Sequence, residues 1–270
     1  MAALSESRDF VAERACPACF GIAARTVGPL ENTKLGHYLR SSYELLHCLE
    51  CDVVYLSPLP PASDLHSIYM EEVQFDFYTE ESSSAVVEFA KGRMVTLMWR
   101  LGLSGRAPRV LEIGAGPAWM ARAAKMIAPK SVTVGQDITS EMAGKSPWVD
   151  HYLVVPAEDP KIAALGPYDV ISMTHVIEHL PDPVATLKLL HPLTRGLVFL
   201  TAPHRPVHWD GSIEKWREYS LNHVPGHLQY FSERGMKAAA EASGFEVDYW
   251  DGTPEQGQSF EAWLRPSGRI

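Results

Sequence analysis

The sequence predicts an α/β fold in which a mainly parallel sheet ends in an antiparallel hairpin and follows a small metal-binding segment. A short apolar strand at residues 110–113 leads into a glycine-rich turn and a helix, which is how a nucleotide-binding βαβ unit begins. Strand and helix patterns then alternate along the chain before two final strands. All four cysteines lie within the first 51 residues, which sets that segment apart.

The composition limits the class of protein. The chain has 270 residues, 46% of them hydrophobic, which is enough for one large domain or for a medium domain plus a small one. No apolar run reaches the ~20 residues that span a bilayer. The first residues include acidic side chains and lack the apolar stretch of a secretory signal. We therefore expect a soluble cytoplasmic protein without a membrane span. The net charge of −9 argues against nonspecific nucleic-acid binding, which depends on cations that neutralise phosphates.

The cysteines form two C-x-x-C pairs, Cys16 with Cys19 and Cys48 with Cys51. Two such pairs in a short segment are typical of a zinc ion bound by four thiolates. Two disulfides are disfavoured without a secretory signal, and a redox pair would need only one C-x-x-C and a following helix. Because no ligand position would stay open, the zinc is expected to be structural and to fold a segment too small for its own core.

The pattern around these cysteines predicts a small first domain. Residues 43–48 and 53–56 are predicted strands that flank the second cysteine pair, as in a zinc ribbon. A proline-rich stretch at 57–63 marks a linker. We therefore divide the chain into a zinc-ribbon segment with its linker, residues 1–70, and a second domain, residues 71–270.

Helical and aromatic segments connect the linker to the first strand of the second domain. A short helix is predicted at 64–72 and a longer amphipathic helix at 84–103. Between them, the aromatic stretch 73–79 either covers the cofactor pocket or packs between the domains.

The turn after the first strand distinguishes between cofactors. Gly114 and Gly116 make this turn, and Pro117 is expected in the first turn of the following helix. Trp119 stands where a dinucleotide-binding G-x-G-x-x-G turn has its third glycine. Glu112 lies inside the strand, where a carboxylate would attract a cationic ligand and repel a pyrophosphate.

A second carboxylate closes the next strand, residues 131–137. Asp137 is placed to accept both ribose hydroxyls of an adenosine. The alternative is that Asp137 caps a helix that follows it. We favour ribose binding.

The remaining elements complete the sheet. Residues 151–155, 170–173 and 195–201 are predicted strands, and a helix follows from Pro183 to about residue 191. Ser232 caps a helix that Gly244 stops. The final two strands are predicted to pair as an antiparallel hairpin, and their ranges are 245–251 and 259–265.

The connection at residues 202–231 is long enough to indicate a functional loop. It follows a strand whose carboxyl end faces the cofactor crevice, so we predict an acceptor-binding lid. A surface insertion with aromatics packed for stability is the alternative. The connection contains four of the eleven histidines together with tryptophans and tyrosines: His204, His208, His223, His227, Trp209, Trp216, Tyr219 and Tyr230. No helical H-x-x-x-H pattern or paired carboxylate supports a catalytic metal there.

Two motifs resemble those of a known family. Residues 112–118 resemble E-x-G-x-G-x-G, the first motif of class I S-adenosylmethionine (SAM)-dependent methyltransferases, with Ala118 replacing the last glycine. Residues 175–183, His-Val-Ile-Glu-His-Leu-Pro-Asp-Pro, resemble the H-V-L-E-H-L-x-D-P stretch of a broad group of these enzymes. With the four-cysteine segment and residues 227–231, the chain is similar to bacterial class I methyltransferases that carry an N-terminal zinc-binding segment. Such enzymes often act in natural-product, deoxysugar or cell-surface glycan pathways.

The resemblance implies a Rossmann-like class I methyltransferase sheet with a terminal antiparallel hairpin, plus a small N-terminal zinc ribbon. It implies SAM and a structural Zn²⁺ as cofactors. The implied SAM-binding residues are Glu112, Gly114, Ala115, Gly116, Asp137, Ala157, Glu158 and His175. Pro156 stands where the family commonly has an aspartate facing the adenine, so Glu158 or the backbone around Ala157 would make that contact. Related deoxysugar C-methyltransferases carry a further domain after the terminal hairpin. This sequence stops after that hairpin, so we do not expect it to belong to that subgroup.

The expected reaction is transfer of a methyl group from SAM to a small-molecule or glycan acceptor, with a hydroxyl as the leading choice. A hydroxyl needs a base, and histidine suits that role near neutral pH. His179 and His227 are the first candidates for the base, and His175 is expected to shape the methionine end of the SAM site. His204 would approach from the lid, whereas Glu178 is expected to point elsewhere.

Two other functions compete with this one. An rRNA or tRNA methyltransferase could use the ribbon to bind RNA, but the net charge argues against it. A non-catalytic SAM-binding scaffold is the second alternative, and the histidine-rich connection argues against that. The ribbon could also form a homodimer contact, support the lid or dock a carrier protein.

Overall fold

The structure is a computed structural model that describes residues 9–11, 14–31, 42–72, 80–252 and 258–268. The aromatic stretch predicted at 73–79 lies outside the described residues, so its role stays a prediction. The described strands form two sheets, one of five strands and one of seven.

The smaller sheet is built mainly from the N-terminal segment. Its strands are β1 (Asp9–Val11), β2 (Ala23–Glu31), β3 (Ser42–Cys48), β4 (Val54–Ser57) and β10 (Gln229–Tyr230), in that spatial order. All neighbours pair antiparallel. The predicted strands on either side of the second cysteine pair are thus confirmed. β10 comes from the long connection predicted to be a lid, and the sequence analysis did not predict that it pairs with β4.

The larger sheet confirms the predicted fold class. Its strands are β5 (Arg109–Ile113), β6 (Val132–Asp137), β7 (His151–Val154), β8 (Tyr168–Thr174), β9 (Thr194–Pro203), β11 (Phe245–Asp251) and β12 (Ser259–Pro266). The spatial order is β11–β12–β9–β8–β5–β6–β7. The strands from β5 to β9 are parallel, and β12 pairs antiparallel with both β9 and β11. This is the Rossmann-like sheet with a terminal hairpin that the resemblance implies.

Seven helices accompany the sheets within the described residues. They are α1 (Ala62–Glu72), α2 (Glu80–Arg100), α3 (Trp119–Ile127), α4 (Pro160–Ala164), α5 (Pro183–Leu190), α6 (Ile213–Arg217) and α7 (Glu233–Ala242). None of the described helices combines the length and apolar character needed to cross a membrane.

Alternating side chains of the central strands supply a core on each face of the larger sheet. Val110 and Val170 pack on one face with apolar residues of α2 and α3. Leu111 and Ile171 pack on the other face with α5 and α7. The second core continues into the cysteine segment, where Val53 lies so close to α7 that a Cβ at Gly235 would be 2.3 Å from its Cγ2 atom. The ribbon is therefore packed directly on the larger domain.

Two local predictions differ from the structure. Pro117 precedes α3 and is not in its first turn, because Ala118 adopts a left-handed conformation (φ 58°) as the N-cap and the helix begins at Trp119. No helix follows Asp137, since the chain makes turns until β7 starts. The alternative role of Asp137 as a helix cap is therefore wrong.

Candidate active site

A cavity of about 490 Å³ lies at the carboxyl ends of β5, β6 and β8. This is where the crevice of a doubly wound sheet forms, and the volume is in the range of small-molecule sites. All eight residues implied for SAM binding line the cavity: Glu112, Gly114, Ala115, Gly116, Asp137, Ala157, Glu158 and His175. His179, His223 and His227 line it as well.

The turn after β5 is shaped for close approach of a ligand. Gly114 has a φ of 59°, and a Cβ there would lie 2.5 Å from Val176 Cγ2. Gln136, which the sequence analysis did not single out, holds this turn: its Oε1 accepts from Gly114 N at 3.2 Å, and its Nε2 donates to Val155 O at 2.5 Å. The turn therefore needs glycine at position 114 and is held to two neighbouring strands.

Glu112 is buried at the end of β5, and its carboxylate holds the start of α3. Its oxygens accept from the backbone N–H groups of Met120 at 3.4 Å and Ala121 at 3.0 Å. Burial raises the pKa of Glu112 to about 7, although both amide hydrogen bonds act to lower it. The carboxylate thus caps a helix N-terminus while also lining the cavity.

Asp137 ends β6 with its carboxylate at the cavity wall. One oxygen accepts from Gly116 N at 2.8 Å, and the other accepts from the backbone and hydroxyl of Thr139 at 2.9 and 3.1 Å. These contacts fix the carboxylate beside the glycine turn and leave acceptor capacity for ribose hydroxyls. A side-chain-free turn next to a fixed carboxylate fits the adenosine portion of SAM.

His175 and Glu178 form a contact that the sequence analysis did not predict. The short 3₁₀ turn Ile177–His179 follows β8 and turns Glu178 inward, where it is completely buried. The expectation that Glu178 points elsewhere is wrong, because one of its oxygens lies 3.3 Å from His175 Nδ1. His175 has a φ of 54°, in the left-handed region, and its side chain is 47% exposed.

Each partner of this pair shifts the pKa of the other. Burial would lower the pKa of His175, but the contact with Glu178 and its charge outweigh burial and raise it. Burial would raise the pKa of Glu178, but His175 and the neighbouring His179 outweigh burial and lower it to about 2. The contacts thus favour an ionised Glu178 beside a histidine of increased basicity.

His179 and His227 lie next to this pair, with ring centroids 4.8 Å apart. His179 Nδ1 lies 2.9 Å from Gly226 O, and His227 Nδ1 lies 2.9 Å from Leu221 O. Burial, together with His179, lowers the pKa of His227 to about 3, which keeps its ring neutral near neutral pH. The cavity wall therefore combines neutral and basic imidazoles around one buried carboxylate.

The connection at residues 202–231 packs against the smaller sheet. Its aromatic residues Trp216 and Tyr230 are buried in a cluster with β3 and β4. Its histidines are distributed between two places: His223 and His227 line the cavity, whereas His204 is buried outside the lining and its Nδ1 lies 2.6 Å from Arg205 O. The structure thus brings three of the four proposed catalytic histidines together.

The four cysteines form a compact cluster, and none of them is in a disulfide in the structure. Cys16 and Cys51 have their Sγ atoms 3.4 Å apart, and Cys19 and Cys48 have theirs 3.6 Å apart. All four sulfurs lie within 4.8 Å of one another. Thiolates 2.3 Å from a tetrahedral zinc are about 3.8 Å apart, so the cluster is compatible with that ion.

Comparisons with known proteins agree with this geometry. A family model described as a methyltransferase domain matches residues 86–249. The Burkholderia thailandensis 1,6-didemethyltoxoflavin-N1-methyltransferase, solved with 1,6-didemethyltoxoflavin and S-adenosylhomocysteine (SAH), superposes with a TM-score of 0.50 at 17% identity over 85% of this chain and 98% of that one. Mitomycin 7-O-methyltransferase superposes with a TM-score of 0.52 at 15% identity over 75% of this chain and 60% of that one. No curated protein matches the sequence. At these identities the structural likeness shows the fold.

Proposed function

Because the chain belongs to the methyltransferase-domain family and is a SAM-dependent methyltransferase, we propose that it methylates a hydroxyl of a small-molecule or glycan acceptor. The contact that carries this proposal is the 3.3 Å approach of His175 Nδ1 to the buried Glu178 carboxylate at the cavity wall. A hydroxyl is a weak nucleophile until its proton is removed, so a positioned base is the feature that an oxygen acceptor requires.

The chain's residues divide the work between binding and proton transfer. Asp137 and the glycine turn bind and orient SAM, which supplies the electrophilic methyl group when bound. The Glu178 carboxylate lies as a charge partner beside Nδ1 of His175, so the Nε2 side of the ring is left to accept the acceptor's proton. The half-exposed ring lines the cavity, which gives it access to the acceptor.

Three further histidines stay candidates for the base. His179 and His227 line the same cavity and could receive the proton or bind the acceptor. His204 lies outside the lining, so a role in proton transfer would require movement of the connection. We rank His175 first because it alone among the four contacts Glu178 within 3.5 Å.

The choice of oxygen rests on this base and not on the fold. The two structural neighbours are named for methylation of an oxygen of mitomycin and of N1 of 1,6-didemethyltoxoflavin. The class I sheet therefore accommodates either atom. The net charge of −9 and a cavity volume of about 490 Å³ support a small molecule or glycan over RNA.

The remaining assignments extend the proposal to the ribbon. Cys16, Cys19, Cys48 and Cys51 would bind a structural zinc ion, supported by four free sulfurs at compatible distances. Residues 1–70 would then be a zinc-ribbon segment with its linker, residues 71–270 the methyltransferase domain, and residues 202–231 the acceptor lid. A homodimer or carrier-protein contact of the ribbon stays a prediction.

The test begins with a screen of hydroxyl-bearing compounds and oligosaccharides using methyl-labelled SAM, followed by identification of the methylated atom by NMR. With the acceptor found, His175→Asn is expected to lower kcat ~10²- to 10⁴-fold, a larger factor than the change in KM for SAM that follows from the implied contact of His175 with the methionine end. Asparagine suits the test because it tolerates a positive φ. His208→Gln, at an exposed position within residues 202–231, is the control histidine.

The pH dependence gives an independent readout. Glu178→Gln removes the charge that raises the pKa of His175, so the acidic limb of the kcat profile should move to lower pH. Methylation at nitrogen or carbon would contradict the hydroxyl proposal. Unchanged turnover by His175→Asn would contradict the assignment of the base.

A further inference from the structure

The histidine cluster contains a second feature that a proton-transfer role does not explain. Glu178 is completely buried, yet neither of its oxygens has a hydrogen-bond partner of acceptable geometry among the described residues. An ionised carboxylate that is buried without hydrogen bonds destabilises the fold unless a cation compensates it. The contact with His175 at 3.3 Å engages only one of the two oxygens.

Two imidazoles converge on the same carboxylate. Glu178, His179 and His227 each place one ligand atom within 4.8 Å of the others. His179 Nε2 lies 3.9 Å from Glu178 Oε1. Ligands 2.1 Å from a tetrahedral ion are about 3.4 Å apart, so small side-chain rotations would bring all three to bonding distance.

The orientation of both rings is the one found in metal-binding histidines. Each histidine has Nδ1 at 2.9 Å from a backbone carbonyl, so Nδ1 carries the proton and donates it. That arrangement fixes the tautomer with the lone pair on Nε2, which is the nitrogen that would bind a metal ion.

The backbone around the three residues is fixed as well. Leu228 N donates to Glu178 O at 2.8 Å, directly after His227 in the chain. Gln229 Nε2 donates to the carbonyls of Ile177 and Leu180 at 2.7 and 2.9 Å, on either side of Glu178 and His179. The turn and the returning chain thus form one preorganised frame, as a metal site requires.

From these contacts we propose that Glu178, His179 and His227 bind a divalent transition-metal ion at the cavity wall, separate from the four-cysteine site. Two imidazoles and one carboxylate suit ions such as Zn²⁺, Co²⁺ or Fe²⁺. Three protein ligands leave coordination positions open to the cavity, as in catalytic metal sites.

The ion would act on the acceptor, and this part of the inference rests on the proposed function. An acceptor hydroxyl bound to the ion would have a lowered pKa. His175 is not a member of the ligand set, so it remains available to accept the released proton. The carboxylate that the sequence of this connection lacks would then come from Glu178, which lies outside the connection.

The test titrates Co²⁺ into protein whose zinc content has been measured as one ion per chain, with neither SAM nor acceptor present. A histidine–carboxylate site gives visible d–d bands without the thiolate-to-cobalt charge-transfer absorption of a cysteine site. We expect these bands to saturate at one Co²⁺ per chain. Glu178→Gln and His227→Gln should each weaken binding at least ~10-fold, whereas the exposed His208→Gln should bind like the unaltered protein.

Binding of SAH shows that each variant is folded. The proposal is overturned if the unaltered protein shows no d–d bands or only thiolate bands, or if both folded ligand variants bind Co²⁺ undiminished. Because the readout involves no methyl transfer, failure of the metal site and failure of the proposed reaction are distinguishable.

Discussion

Glu112 offers a quantitative test of how burial acts at the cofactor turn. The residue is 4% exposed, and its only described hydrogen bonds are those from the first turn of α3. Burial raises its pKa from 4.5 to about 7. Replacing it by glutamine keeps the shape of the side chain and removes the titrating group.

The sign and size of the effect follow from proton linkage. A carboxyl whose pKa is higher in the folded state binds more protons when folded, so its contribution to the free energy of unfolding falls as pH rises from about 4.5 through 7. Between about pH 5 and pH 8 this loss amounts to about 2.5 kcal/mol. Glu112→Gln has no such loss, so it should gain that amount relative to the unaltered protein over this range.

The assay is urea unfolding of both proteins, with their metal content matched, at about pH 5 and pH 8 and without SAM. Other titrating groups are shared, so they cancel in the difference between the two proteins. Glu158→Gln removes a charge from an exposed position at the same cavity and is the matched control. A pH-independent difference between Glu112→Gln and the unaltered protein would refute the argument that burial dominates at this carboxylate.

Two further predictions concern the cofactor and the ribbon. Asp137→Asn removes a charged hydrogen-bond acceptor at the cavity wall, so we expect it to bind SAH ~10- to 100-fold more weakly than the unaltered protein, measured by calorimetry. The control variant Glu141→Gln, at an exposed position, should bind SAH normally. Equal SAH affinities of Asp137→Asn and the unaltered protein would refute ribose binding by Asp137. Cys48→Ser should lose the zinc ion proposed for the ribbon, as measured by elemental analysis. It should also lower kcat more than it lowers the affinity for SAH, because β4 pairs with both β3 and β10, and β10 follows His227 closely in the chain. Full turnover without zinc would contradict this support of His227 by the smaller sheet.

The sheet could be predicted from sequence because its signals are local. Each parallel strand is a short apolar run bounded by a turn, and the glycines after β5 stand where the backbone must take positive φ values. The spacing of the two C-x-x-C pairs is by itself enough to predict a metal site. The residues implied for SAM binding share one cavity because parallel strands end at the same edge.

The inward orientation of Glu178 could not be predicted in this way. Its neighbours His175 and His179 were recognised, but which of these side chains faces the core depends on a three-residue 3₁₀ turn with no periodic pattern. A charged residue in a turn is ordinarily exposed. One signal was available: Glu178 and His175 are three residues apart, which is the spacing that meets across a turn of helix.

Pairing of β10 with β4 was also beyond local reasoning, since β10 has only two residues and its partner is distant in the chain. This pairing connects the ribbon to the wall of the active-site cavity. Leu56 N donates to Leu228 O at 3.0 Å, and Leu228 N donates to Glu178 O at 2.8 Å, so a continuous hydrogen-bonded path joins β4 to the turn that carries the buried carboxylate. His227 precedes Leu228 in that path. A shift of the smaller sheet would therefore move His227 and Glu178 together, and we infer that the ribbon stabilises the active-site histidines as well as its own fold.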